Sequence, residues 1–135
     1  MRKPWGGVRL LLDTHAVLWW LEDHPRLGQH ARTLLGDPDN DVLVSVVSLW
    51  EIVIKSRVGK LTADLKDVSD GITQDGFARL DVKLAHLTAL AGLPMHHRDP
   101  FDHLLIAQAL AEGAQLVSSD RVIRRYAVQV VDCSQ

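Results

Sequence analysis

The sequence has little cysteine and no large excess of charge of either sign. A single cysteine among 135 residues, Cys133, excludes an internal disulfide and is typical of proteins from a reducing compartment. The 15 Lys and Arg residues and the 17 Asp and Glu residues leave a net charge of -2, so the chain lacks the overall basic field that attracts nucleic acid. Any contact with phosphate must therefore be local.

The sequence also lacks a long hydrophobic run. The first apolar run, residues 8–12, ends at Asp13 and is too short for a membrane span or the core of a signal peptide. We therefore expect a soluble cytoplasmic protein with a flexible leader, residues 1–7, and a single domain, residues 8–135. A chain of this length with 47% hydrophobic residues can close a core without disulfides or structural metal.

Short apolar runs alternate with segments of helical spacing along the whole chain. The predicted strands are residues 8–12, 41–45, 77–82, 115–118 and 128–131. The predicted helices are residues 15–22, 28–35, 65–72, 83–93, 100–112 and 120–126, together with a helix that Ser45 or Ser48 caps and that runs to about Val58. This alternation predicts an α/β fold with a mainly parallel sheet and helices on both faces.

The clearest local signals surround the helix predicted at residues 100–112. Asp99 is a good N-cap, Pro100 suits the first helical position, and Gly113 ends the helix. The helix is apolar on nearly every side, which predicts burial between two layers. Asp102 therefore lies in the first turn of a buried helix, at the end with positive partial charge.

Four acidic residues are expected to meet at one edge of the sheet. Asp13 and Asp120 each follow a predicted strand, Asp102 heads a helix that enters from the same side, and Glu51 lies in an apolar helix after the second strand. Ligands of open α/β sheets bind beyond the carboxyl ends of the strands. Carboxylates so close together need a cation or a proton, and oxygen ligands suit Mg²⁺ or Mn²⁺. The sequence thus predicts a metal site suited to phosphoryl transfer.

Each acid also has a structural interpretation that needs no ligand. Asp99 and Asp120 could each cap a helix, and Glu51 could complete a capping box with Ser48 or pair with Lys55 one turn further along. The joint topology of the acids, rather than any one residue, favours the metal.

Histidines and basic residues suggest two further sites. His96, His97 and His103 could bind zinc, but their spacing matches no common zinc motif and no thiol accompanies them. Several basic side chains flank the acidic edge and could hold a phosphate backbone, although an ordinary solvated face fits equally well. We take Lys55, Arg98 and Arg121 as candidate substrate contacts; the other basic residues are Arg57, Lys60, Arg124 and Arg125.

In their order along the chain, four blocks resemble the signature blocks of PIN-domain ribonucleases of the VapC toxin type. The blocks are Asp13-Thr14-His15 followed by Leu18-Trp19-Trp20, then Ser48-Leu49-Trp50-Glu51-Ile52, His97-Arg98-Asp99-Pro100-Phe101-Asp102, and Val117-Ser118-Ser119-Asp120. The likeness covers almost the whole chain, although His103 stands where the family often has Arg. It implies a three-layer α/β/α domain that binds Mg²⁺ or Mn²⁺. The implied ligands are Asp13, Glu51, Asp102 and Asp120, with Thr14, Asp99 and Ser118 in support.

The resemblance also implies an activity and partners. The activity is hydrolysis of an RNA phosphodiester by a metal-activated water, with the protein acting as the toxin of a toxin–antitoxin pair. The implied partners are a second copy of the chain, forming a homodimer, and a small antitoxin protein that lies in an apolar groove. Trp19, Trp20 and Trp50 are candidates for that groove.

Other functions remain compatible with the sequence. One is a PIN-fold nuclease outside any toxin–antitoxin system, and another is a binding module that has lost activity, although all four acids are present. A phosphoacceptor receiver domain also gathers acids at a sheet edge. Receivers need paired acids after the first strand and a late lysine, whereas this chain has only Asp13 there and no lysine beyond Lys83.

Overall fold

A computed structural model of the chain describes residues 7–135, so residues 1–6 of the predicted leader lie outside the described residues. The strands are β1 (Arg9–Leu12), β2 (Asp41–Ser45), β3 (Ala78–Leu80), β4 (Gln115–Ser118) and β5 (Val130–Asp132). The helices are α1 (Thr14–Leu21), α2 (Gln29–Gly36), α3 (Val46–Arg57), α4 (Leu65–Gln74), α5 (Leu84–Ala91) and α6 (Pro100–Glu112), and a 3₁₀ turn spans Arg121–Arg125. Within residues 7–135, none of these helices combines the length and apolar character that crossing a membrane requires.

The five strands form one parallel sheet in the order β3-β2-β1-β4-β5. The chain moves outward from β1 to β2 and β3, and then returns to the other side of β1 for β4 and β5. The strand order therefore reverses between β1 and β4, whose carboxyl ends flank the crevice where open α/β sheets bind ligands. This confirms the predicted α/β fold with a parallel sheet.

Helices cover both faces of the sheet. Leu10 and Leu12 of β1 pack into an apolar cluster with α1, α2 and α4, whereas Leu11 packs into a second cluster with α6 and the 3₁₀ turn. Successive side chains of a strand point to opposite faces, and all three leucines are fully buried. Burial of each such side chain contributes about 1.5–3 kcal/mol, so β1 anchors a three-layer α/β/α arrangement.

Most predicted boundaries agree with the structure to within a few residues, and three details differ. Ser45 caps α3 by accepting the Val47 N–H at 3.0 Å, so the capping box of Ser48 with Glu51 does not form. The predicted helix at residues 120–126 is a 3₁₀ turn. Helix α6 is fully buried along its middle, from Leu105 to Ala109, whereas Leu110 near its end is 41% exposed.

Candidate metal centre

Asp13 lies where β1 passes into α1, and backbone hydrogen bonds hold it on both sides. Its N–H donates to the Val117 carbonyl of β4 at 3.0 Å, and its Oδ1 accepts the Ala16 N–H at 2.8 Å as the N-cap of α1. The residue is buried, and burial raises the pKa of the Asp13 carboxyl above its ordinary value. The negative charge of Glu51 adds to this rise, while a hydrogen bond with Ser118 opposes it.

Glu51 projects from α3 against the first turn of α1. Its Oε1 accepts a hydrogen bond from the Thr14 hydroxyl, and its Oε2 accepts one from Lys55 Nζ at 2.6 Å. Glu51 is buried, and Lys55 supplies the cation that a buried carboxylate requires. The hydrogen bond to Glu51 in turn raises the pKa of Lys55. Lys55, the predicted substrate contact, is therefore held against the acidic residues themselves.

The first turn of α6 brings two more carboxylates to the same place. Asp99 Oδ1 accepts the N–H groups of Phe101 at 2.9 Å and Asp102 at 3.1 Å, so Asp99 is the predicted N-cap. Asp102 Oδ2 is hydrogen bonded to His97 Nε2 at 3.1 Å. Burial raises the pKa of Asp102 to about 6, with a further contribution from the charges of Asp99 and Asp13, and the His97 hydrogen bond opposes the rise.

Asp120 follows β4 and begins the 3₁₀ turn. Its Oδ1 accepts the Val122 N–H at 3.0 Å, and its own N–H donates to Ser118 Oγ at 3.1 Å. Asp120 is exposed, unlike Asp13. Ser118 therefore lies beside two of the predicted acids, since it accepts the Asp120 N–H and lowers the pKa of Asp13.

These side chains line one small cavity of about 80 Å³ at the carboxyl ends of β1 and β4. The lining residues are Asp13, Thr14, His15, Glu51, Lys55, Asp99, Asp102, Ser119 and Asp120. All four acids expected to converge are thus on its wall. Sequence reasoning did not assign a role to His15 or Ser119, and the only signal for them is that each adjoins a predicted site residue.

The donor set of the cavity fits a hard divalent cation. Burial and neighbouring negative charge raise the pKa of both Asp13 and Asp102, so these carboxylates are under a repulsion that a cation would relieve. Among residues 7–135, no three His, Cys, Asp or Glu side chains already surround a common point. The carboxylate of Glu51 is hydrogen bonded to Lys55 through Oε2.

The other predicted polar residues surround the cavity without lining it. Arg98 and Arg121 are exposed, and each is adjacent in sequence to an acid of the cavity wall. His103 donates from Nε2 to the His97 carbonyl at 2.7 Å, and the His97 ring contacts Tyr126. Sequence reasoning missed this cluster around Tyr126, because no local motif links Tyr126 to residues 29 positions away.

The three tryptophans predicted for an antitoxin groove lie in different surroundings. Trp19 stacks on His24 with ring centroids 5.3 Å apart, and Trp20 packs against Phe77 at 5.4 Å. Trp50 on α3 is 55% exposed. A role for these residues in binding a partner stays a prediction.

The fold and this cavity define an α/β protein with a carboxylate-lined site at the switch point of its sheet. The model of the PIN domain family matches residues 10–129, and the chain belongs to that family. This excludes the receiver alternative, whose sheet also has a different strand order, 2-1-3-4-5. No curated protein matches the sequence.

Solved structures share the fold at low sequence identity. A chain of VapBC2 from Rickettsia felis, bound to a DNA fragment from the promoter, has a TM-score of 0.72 and 18% identity, covering 92% of this chain and 98% of that one. A chain of DNA-bound VapBC from Salmonella typhimurium has a TM-score of 0.68 and 18% identity, covering 93% of this chain and 98% of that one. A chain of VapBC-1 from nontypeable Haemophilus influenzae has a TM-score of 0.65 and 16% identity, covering 95% of this chain and 100% of that one.

Proposed function

We propose that the protein is a Mg²⁺- or Mn²⁺-dependent endoribonuclease that acts as the toxin of a toxin–antitoxin pair. The observation that carries the proposal is the cavity at the switch point of a PIN fold, with carboxylates from four separate segments of the chain on its wall. The proposed ligands are Asp13, Glu51, Asp102 and Asp120. Thr14, Ser118 and Asp99 support the ligands through hydrogen bonds or by lining the same wall.

The residues of the chain would prepare the site for an RNA backbone. A divalent ion held there would supply Lewis-acid chemistry, which activates water as a nucleophile and stabilises negative charge on the phosphate. Lys55, which is paired with Glu51, is a cation at the cavity wall that can also contact the phosphate undergoing cleavage. The exposed Arg98 and Arg121 are placed to hold neighbouring phosphates.

The nuclease proposal is tested with the purified protein and single-stranded RNA. We expect cleavage with Mg²⁺ or Mn²⁺, none with EDTA, and a loss of about a hundredfold or more in Asp13→Asn, because a ligand of a Lewis acid is removed. Asn is also a good N-cap, so α1 should still form. Asp70→Asn, an exposed acid on α4, is the matched control. Cleavage that survives EDTA or Asp13→Asn would contradict the proposal, and cleavage of DNA alone would favour a different nuclease.

A groove between α1 and α4 supports the proposed antitoxin partner. The groove has a volume of about 310 Å³, an apolar floor and an acidic rim. The floor includes Leu18, Leu21 and Val68, and the rim includes Glu22, Asp64 and Asp67. We propose that a segment of the antitoxin with apolar and basic side chains binds here, since its charge would complement the rim. The likeness of the fold to chains of VapBC structures supports this choice of partner.

The partner proposal is tested by measuring the affinity of the purified protein for its cognate antitoxin. Asp67→Lys reverses a charge on the rim and should weaken the complex several-fold at low salt, because rim charges steer association. Asp81→Lys, at a side chain that is 68% exposed and does not line the groove, should leave the complex unchanged. Equal binding by both variants would indicate that the antitoxin binds another surface.

We further propose that the chain forms a homodimer in the cytoplasm, with residues 8–135 as its single domain. Large apolar side chains are exposed on α5 and on the adjoining segment, which supports a contact with a second copy. Leu84 is 79% exposed, Leu87 46% and Met95 76%.

A further inference from the structure

The carboxylates of the candidate metal centre differ in what holds them. Asp13, Asp99 and Asp120 each have Oδ1 tied to a backbone N–H as a helix or turn cap. Glu51 is held by Thr14 and Lys55. Asp102 caps nothing, and among the described residues the donor to its side chain is His97 Nε2, at 3.1 Å from Oδ2.

Tyr126 and Asp102 together determine which nitrogen of the His97 ring carries the proton. The hydroxyl oxygen of Tyr126 accepts the His96 N–H at 2.9 Å, so the single hydroxyl proton is available to His97 Nδ1 at 2.7 Å. Nδ1 of a neutral ring then accepts, and Nε2 carries the proton. An ionised Asp102 can only accept, so the chain of hydrogen bonds runs in one direction from the His96 N–H to Asp102 Oδ2.

The surroundings hold this chain of hydrogen bonds rigidly. Tyr126 is 4% exposed and packs in the apolar cluster beneath α6. The His97 backbone carbonyl accepts a hydrogen bond from His103 Nε2 at 2.7 Å, and the two imidazole rings meet edge to face with centroids 4.8 Å apart. The His97 ring is therefore restrained through its backbone, its Nδ1 atom and its edge.

We propose that His97 is a positioning residue for the metal ligand Asp102, and that Tyr126 holds the His97 ring in the orientation that does this. The hydrogen bond occupies Oδ2 and leaves Oδ1 as the oxygen for an ion. Outer groups that hydrogen bond a ligating side chain typically change metal affinity 10- to 100-fold. This inference rests on the proposed function, because it assumes that Asp102 ligates the ion.

The test measures Mn²⁺ affinity by calorimetry, without substrate. We expect His97→Ala to weaken binding about tenfold or more. His97→Gln should recover part of this loss, because its amide nitrogen can replace Nε2 as a donor. Tyr126→Phe keeps the buried ring but removes the hydroxyl, and we expect it to weaken binding a few-fold. His30→Ala, on the exposed side of α2, is the matched control and should bind as the unmodified chain does.

A spectroscopic signature separates positioning from general damage. Nitrogen NMR of the metal-free protein should show His97 protonated at Nε2. Unchanged Mn²⁺ affinity in folded His97→Ala, or His97 protonated at Nδ1 in the metal-free protein, would overturn the inference. If His97→Ala does not fold, the tautomer in the metal-free protein and the affinity of His97→Gln decide.

The proposed function fails in a different way. Asp102→Asn should lose Mn²⁺ binding if Asp102 is a ligand. If Asp102→Asn binds Mn²⁺ as tightly as the unmodified chain, the metal assignment itself is wrong and the role of His97 falls with it. Loss of binding in Asp102→Asn together with full binding in His97→Ala would refute only the positioning role.

Discussion

Removal of the Asp102 charge should stabilise the metal-free protein and destabilise the metal-loaded one. The pKa of Asp102 rises from an ordinary 3.8 to about 6 in the folded protein, chiefly through burial. A shift of about two units corresponds to roughly 3 kcal/mol at neutral pH if all of it acts on folding. The side chain is 15% exposed and faces a cavity, so screening by solvent reduces this to about 1–2 kcal/mol.

The substitution Asp102→Asn also removes a negative charge from the first turn of α6, where it interacts favourably with the helix, at a cost of about 0.3–1 kcal/mol. In EDTA at pH 7 we therefore expect a net stabilisation of about 1 kcal/mol, or a rise in Tm of roughly 4 °C. Because the folded-state pKa is raised, the destabilising effect of Asp102 is absent below pH 3.8 and complete only above about pH 6. The increase in the free energy of unfolding caused by Asp102→Asn should follow the same pH dependence.

Metal should reverse the order of stability. At a Mn²⁺ concentration about 100 times Kd, the unmodified chain gains about 2.7 kcal/mol, whereas Asp102→Asn gains little. Urea unfolding in EDTA and in Mn²⁺ measures both effects. Asp70→Asn removes an exposed acid paired with Lys66 and should change stability by less than about 0.5 kcal/mol in either buffer. The reasoning would be refuted if Asp102→Asn were less stable than the unmodified chain in EDTA. It would also be refuted if Asp102→Asn remained the more stable protein in Mn²⁺.

Three further predictions concern other parts of the fold. The hydrogen bond to His86 lowers the pKa of Glu112, so Glu112→Gln should lower the free energy of unfolding by about 1 kcal/mol above pH 4.5. Urea unfolding should show this difference fading as the pH falls through the lowered pKa. Cys133 is fully buried and burial raises its pKa to about 12, so a thiol reagent such as DTNB should react with it only after unfolding. If the chain forms the proposed homodimer, Leu84→Asp should convert it to a monomer in light-scattering measurements, and a variant that stays dimeric would place the interface elsewhere.

The parts of the fold that depend on local chemistry could be predicted from the sequence. Asp99, Pro100 and Gly113 define the ends of α6, and Gly113 adopts the left-handed conformation, at φ 63°, that favours glycine. The buried strands β2 and β4 have the predicted bounds. Asp13 and Asp102 were expected to converge because parallel strands end at one edge, and this inference needs only the order of elements.

Features that depend on contacts between distant segments could not be predicted. The sequence offers either Ser45 or Ser48 as the cap of α3, and the choice depends on tertiary structure, since Ser45 Oγ also donates to Gln108 Oε1 of α6 at 2.5 Å. The pairing of His97 with Tyr126 likewise joins residues 29 positions apart. Spacing along the chain carries no signal for either contact.

The structural and the chemical interpretations of the acids are not alternatives in this fold. Asp13, Asp99 and Asp120 cap a helix or turn through Oδ1, and a cap of this kind places the carboxylate at the positive end of the element, in a defined orientation. The second carboxylate oxygen is not needed for the cap and is left for the cavity. Asparagine caps as well as aspartate but removes the charge, so Asp→Asn variants separate the two roles, whereas Asp→Ala variants would disturb both. Asp102, which caps nothing, is the acid for which the fold has to supply a separate hydrogen-bond donor, and His97 meets that need.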